Sequence, residues 1–240
     1  MISSPSGGPI NYAGLRDEVL RRLRNQILSG QLGDGDRIIE RDVAQEMGIS
    51  RGPVREALRQ LEHEGLVGWL PRRGARVATI TREDAEEFSA IRMAVEPVAV
   101  EFFLNRKNAQ AFFTLDDCMR RLQVAADAGD WPDVTLLHME FHSLVYTLSG
   151  RKRLQRVWEM LRIPLVQTFR LHPPLVHSIG ELPTMHYELL NALKKGPVGA
   201  AKRATRDHIQ QFDQALLRSL PTDADLMNTP ASPGRVARKT

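Results

Sequence analysis

The sequence predicts a mainly α fold in two parts, an N-terminal winged helix-turn-helix followed by an all-α helical bundle. Three observations predict it. Apolar residues recur at helical spacing over most of the 240 residues. The period changes only at LVGWLP and ARVATI, which read as two short strands around the turn PRRG. Beyond that hairpin, Gly and Pro breaks divide the chain into about six helical segments.

Taken in order, residues 1–12 are Ser, Gly and Pro rich and predict a disordered tail. LRDEVLRRLRNQILSG carries apolar residues at 15, 19, 20, 23, 27 and 28, and Gly30 stops that helix. QLGDGDRI reads as a loop. ERDVAQEMG is a short helix closed by Gly48. Ser50 is a candidate N-cap, with Arg51, Gly52 and Pro53 opening a helix that runs to Gly65. Helix, turn, helix and hairpin over residues 13–80 make a winged helix-turn-helix. From Thr81 the pattern is helical over roughly 82–104, 108–128, 131–149, 151–171, 181–195 and 197–220. The breaks lie at Gly129-Asp130, Gly150, Pro173-Pro174 and Gly196-Pro197, and Pro97 marks a kink position. Residues 81–220 thus predict one all-α domain. Residues 221–240 predict a solvated, disordered tail with a basic end.

The totals narrow the function classes. A hydrophobic fraction of 42% suffices for a packed core. The one cysteine, Cys118, excludes an internal disulfide and a Cys-rich zinc finger, and reads as a buried helix residue. No signal peptide and no apolar run of membrane-spanning length is visible, so a cytoplasmic location is expected. A net charge of +4 and a pI of about 9.5 say little alone. The distribution says more, because no lysine precedes Lys107 while arginine is abundant before residue 82. Arginine's planar fork suits phosphates and guanine edges.

That arginine is organised. Arg51, Arg55 and Arg59 are spaced by four and form a basic stripe, while Val54, Leu58 and Leu61 form an apolar one. A recognition helix needs this division between a held face and a reading face. Ser50 and Gly52 leave the helix start open to a phosphate. Arg72 and Arg73, followed by Gly74, place donors at the wing tip for a minor-groove or phosphate contact.

On ILSGQLGDGDRI, IERDVAQEMGISRGPVREALRQLEHEGLV and RRGARV, the chain resembles the winged helix domain of GntR-type bacterial transcription regulators. The resemblance implies binding of double-stranded operator DNA as a homodimer. Position by position it implies helix-borne DNA contacts at Arg41, Ser50, Arg51, Gly52 and Arg55. It implies wing contacts at Arg72, Arg73 and Gly74.

HMEFH places His138 and His142 at i and i+4, one turn apart on one helical face. A metallohydrolase motif of this kind puts glutamate directly after the first histidine, where this chain has Met139. Glu140 points to the other side of the helix, and no phosphate loop or nucleophile elbow is visible, so an enzyme is not expected. On IRMAVEPVAVEFF, HMEFHSLVYTLSG, MHYELLNAL and RDHIQQFDQAL, residues 81–220 resemble the FCD effector domain of the FadR/FCD subfamily. Six helices resemble its shorter, VanR-like form. That resemblance implies effector binding and dimerisation in this domain. It also implies a metal held at His138, His142, His186 and His208, with histidine standing where the family usually keeps aspartate.

Imidazole favours zinc, nickel or copper over magnesium or calcium, so a divalent transition metal, zinc or else nickel, is expected. Four neutral ligands leave the full +2 and favour an anionic effector such as a small carboxylic acid. Arg92 is either the arginine that meets that carboxylate, as the resemblance implies, or an i,i+4 partner of Glu96. Gln167 and Arg170 are further pocket candidates, and His63, His172 and His177 match nothing. The expected function is a ligand-responsive DNA-binding regulator, a repressor, acting on a pseudo-palindromic operator. The alternatives are a metal-independent regulator with the same DNA-binding domain, a metallohydrolase, and an architectural DNA-binding protein.

Overall fold

The computed structural model describes residues 12–70, 74–171, 179–218 and 220–222. It divides into two compact units at Ala78 and Thr79. The first unit holds α1 (Tyr12–Leu28), β1 (Arg37–Ile38), α2 (Glu40–Met47), α3 (Arg51–His63), β2 (Val67–Leu70) and β3 (Gly74–Val77). The second holds α4 (Arg82–Leu104), α5 (Ala109–Asp127), α6 (Trp131–Leu148), α7 (Lys152–Leu171), α8 (Glu181–Lys195) and α9 (Val198–Leu217).

In the first unit, Val19, Leu23 and Ile27 of α1 lie one turn apart and are buried, and α1 packs on α3. Val54, Ala57, Leu58 and Leu61 are fully buried on α3. That burial fixes α3 on one side and leaves Arg51, Gly52, Arg55 and Arg59 exposed on the other. α2 ends at Gly48, whose φ of 65° is left-handed, and the Ile49 N–H then donates to Ala44 O at 3.0 Å. This turn sets the start of α3. Arg24 clamps α1 to the end of α3 through both oxygens of Glu64, at 2.9 and 2.6 Å.

The sheet order is β1-β3-β2, all antiparallel. Strand β1 lies in the segment expected to be a loop. It has only two residues, Arg37 and Ile38, paired with Arg76 and Ala75. Two residues carry no readable alternation, which is why the sequence hides it. Arg76 secures it by donating to Gly35 O at 2.7 Å.

In the second unit, Thr81 caps α4. Its hydroxyl accepts from the Asp84 N–H at 3.1 Å, and its own N–H donates to the Asp84 carboxylate at 2.9 Å. Pro97 lies inside α4 and Pro164 inside α7 without ending either helix. Helix α4 packs chiefly on α9 and also on α6, α5 on α6 and α8, and α6 on α7. Two termini depart from expectation. α1 begins at Tyr12, inside the predicted N-terminal tail. Pro221, assigned to the predicted C-terminal tail, accepts the Arg82 N–H at 2.8 Å, and Leu220 beside it is buried. The freed amide at the start of α4 holds the chain there.

Candidate metal centre and nucleic-acid interface

The arginine-rich face is built by α2 and α3. Ser50 occupies the N-cap with extended backbone, φ −74° and ψ 164°, yet its side chain makes no capping hydrogen bond. Gly52 follows on the exposed first turn. A Cβ built there would meet nothing nearer than Ser50 Oγ at 3.9 Å, so packing within the protein does not demand glycine. Arg55 is exposed and gripped by Glu40, Nε to Oε1 at 3.1 Å and Nη2 to Oε2 at 2.9 Å. That bond, ahead of the opposing effect of burial, holds the Glu40 carboxyl below its ordinary value. Arg41 pairs with Asp42 at 3.0 Å. Gly74 opens β3 with φ 81°, a left-handed conformation that only glycine adopts freely. Arg72 and Arg73 lie outside the described residues.

The second unit brings His138 and His142 of α6, His186 of α8 and His208 of α9 together. One ligand nitrogen from each lies within 4.8 Å of all the others. All four side chains are buried, and the Nε2 atoms of all four have no hydrogen-bond partner. Two rings have their tautomer fixed by an acceptor. His186 Nδ1 donates to Leu182 O at 2.8 Å, and His142 Nδ1 donates to Glu96 Oε1. His138 packs against Phe169 and Phe212, at 5.3 and 4.5 Å between ring centroids, and those two rings touch each other at 4.7 Å.

Burial dominates the electrostatics. It pushes His186 down to about 3, helped by His142 and opposed by Leu182 O. It drives His138 and His208 well below their ordinary value, with the neighbouring imidazoles adding to it. His138, His186 and His208 are therefore neutral and keep their lone pairs, the state a metal requires. Four buried, converging and unsatisfied nitrogens are costly in an apolar core unless something binds them. The donor set fits a transition metal, and His138, His142, His186 and His208 are the residues that would hold it.

Behind the histidines lies a second polar layer. Arg92 is buried, with Nε 3.4 Å from Glu96 Oε2 and Nη1 3.6 Å from Asp213 Oδ1. Neither Nη1 nor Nη2 makes a hydrogen bond. Burial opposes the charge of Glu96, but His142 and Arg92 outweigh it and hold the carboxyl low. Burial pushes Asp213 up, against the pull of Arg92. Of the two expectations for Arg92, the ion pair with Glu96 is present, and its Nη1 and Nη2 are without a hydrogen bond.

The profile of the bacterial regulatory proteins of the gntR family matches residues 15–77, and that of the FCD domain matches residues 87–211. This chain belongs to the GntR family, in its FCD branch. It is a transcription regulator, and regulators of this kind bind DNA and take small-molecule effectors through the FCD domain. It is 28% identical to the HTH-type transcriptional regulator YdhC of Bacillus subtilis over 78% of this chain and 84% of that one. It is 23% identical to the HTH-type transcriptional repressor RspR of Escherichia coli over 88% of this chain and 92% of that one. A GntR regulator structure from Rhodococcus sp. RHA1 shares the fold, with a TM-score of 0.76, 23% identity and coverage of 86% of this chain and 99% of that one. Among the described residues of this GntR/FCD chain, no helix is long and apolar enough to cross a membrane.

Sequence reasoning found the four histidines but not what supports them. Asp213 and the aromatic walls Phe169 and Phe212 gave no signal. Glu96 was visible only as a neighbour of Arg92, because its contact to His142 spans 46 positions. Gln167 is buried, whereas the side chain of Arg170 lies outside the described residues, as do His172 and His177. Glu140 points away from the histidines and pairs with Arg121. Cys118 is buried, and burial pushes its thiol up to about 12.

Proposed function

We propose that this protein is a ligand-responsive repressor that binds a pseudo-palindromic operator as a homodimer. A small carboxylic acid is sensed at a pocket holding a divalent transition metal, zinc or nickel, on His138, His142, His186 and His208. The carrying observation is the convergence of four buried imidazoles, each with an Nε2 that no group among the described residues satisfies. When bound, the metal supplies a Lewis-acid position for an anionic oxygen. The protein's own residues exclude water with Phe169 and Phe212 and offer the Nη1 and Nη2 donors of Arg92. The repressor assignment is supported by the likeness to the transcriptional repressor RspR.

On the DNA side, Arg51 and Arg55 read base edges, Arg41 and the open start of α3 at Ser50 and Gly52 meet phosphate, and Arg72, Arg73 and Gly74 form the wing contact. The room left at Gly52 supports a close approach of the backbone. The effector acts by binding the DNA-competent and incompetent states with different affinity. The test is operator footprinting across a panel of carboxylic acids, with and without chelator, at two salt concentrations. Release by an acid only in the metal-loaded protein is expected, as is weakening by salt. Release that ignores the chelator would instead support a metal-independent regulator.

A further inference from the structure

We propose that Glu96 is a positioning residue of the metal centre. It holds His142 with Nδ1–H donated to its carboxylate and Nε2 directed to the other imidazoles. It also supplies the nearby negative charge that four neutral ligands lack. This rests on the metal reading above.

Helix α4 contributes none of the four histidines, yet Glu96 reaches the centre from it. A carboxylate only accepts hydrogen bonds, so the proton shared with His142 Nδ1 fixes the tautomer, and Nε2 keeps the lone pair. That Nε2 is buried and without a partner. His186 is fixed the same way by a carbonyl, and among the described residues His142 alone of the four has a charged acceptor. A charged acceptor raises the basicity of the ligand and directs its ring.

The rival role for Glu96 is to neutralise Arg92. The two oxygens divide the work, Oε1 on His142 and Oε2 on Arg92. Arg92 already has a second acid, Asp213, at 3.6 Å. Neutralising Arg92 therefore does not require Glu96 to turn an oxygen to His142. The chain His142, Glu96, Arg92, Asp213 runs from α6 through α4 to α9, the helix that also carries His208. Its members are buried, and a buried ion is retained only when paired and hydrogen-bonded.

The experiment is a zinc competition titration of the full chain, with imidazole ¹⁵N NMR of the chelated protein as a second readout. Glu96→Gln should lower zinc affinity by roughly 10–100-fold and loosen the His142 tautomer. Adding His138→Asp to that variant should restore much of the affinity, because it returns a carboxylate to the centre. Where a lone change at Glu96 unfolds the protein, the paired variant Arg92→Met with Glu96→Leu removes both charges, and it should show the same zinc loss. Wild-type zinc affinity in a folded Glu96 variant, with His142 still Nδ1–H, would overturn the proposal. Absence of zinc uptake by the wild type would remove the metal reading itself, which is a different result.

Discussion

The arginine face of the first unit and the histidine centre of the second both gather polar side chains, but under opposite solvent conditions. On α2 and α3 the arginines are exposed and their ion pairs are dispensable. In the bundle the polar groups are buried, and several of their atoms have no partner at all. The first arrangement is stable as it stands and can exchange Glu40 or water for phosphate. The second leaves buried nitrogens unsatisfied, and under the proposed reading a metal and an effector would satisfy them. The exposed arginine face and the buried histidine cluster can therefore be told apart by asking which one the protein has left unsatisfied.

The comparison is tested most severely by removing ligands from the buried site. His142→Ala with His186→Ala should abolish bound metal, read by elemental analysis of protein purified without added chelator. Unchanged metal content would refute the buried site. DNA binding without effector should survive, because the arginine face is untouched.

The converse variant, Arg51→Ala with Arg55→Ala, should leave metal content and melting temperature unchanged. It should cost operator binding about 2–6 kcal/mol, from two base contacts at about 1–3 kcal/mol each. A variant that still footprints the same site would show that α3 is not the reading helix.

Acid should separate the two regions next. His186 is held at about 3 in the fold against an ordinary 6.5, mainly by burial. The unfolded chain therefore binds the proton first. This stability is fully present above 6.5 and is lost as pH falls from there toward 3. In the chelated protein the urea midpoint should fall over that window. The arginine-face double variant should follow the same curve, since its substitutions touch none of the buried imidazoles. A midpoint flat from pH 7 to 5 would mean that His186 is not buried as a neutral ring.

How much was legible follows the same division. The winged helix could be read because its signals are local, such as the glycine after α2, the four-residue spacing of arginine and the apolar stripe of Val54, Leu58 and Leu61. The bundle's six helices were equally local. The metal centre was legible only as four scattered histidines matched to a family pattern. Its supports, Glu96 with His142 and Arg92 with Asp213, join residues far apart in sequence, and helical periodicity carries no record of which turns meet. Strand β1 was lost for want of length, and Pro221 for want of any pattern at all.

The smallest effect expected is at Glu40, and it bears on what an exposed ion pair is for. The pair with Arg55 sits at the surface, so its contribution to stability is about 0–1 kcal/mol. Its geometry is nonetheless bidentate, which fixes the direction of the guanidinium before DNA arrives. Glu40→Gln frees that guanidinium and removes a negative charge from a surface that must meet phosphate. Binding to a random duplex should therefore rise a few-fold, while binding to the operator changes less. The ratio of the two, measured at two salt concentrations with the melting temperature unchanged, should fall. A ratio that stays constant would mean Glu40 is only a counter-charge. A falling ratio would mean that the exposed face is preorganised by its acids, as the buried centre is by Glu96.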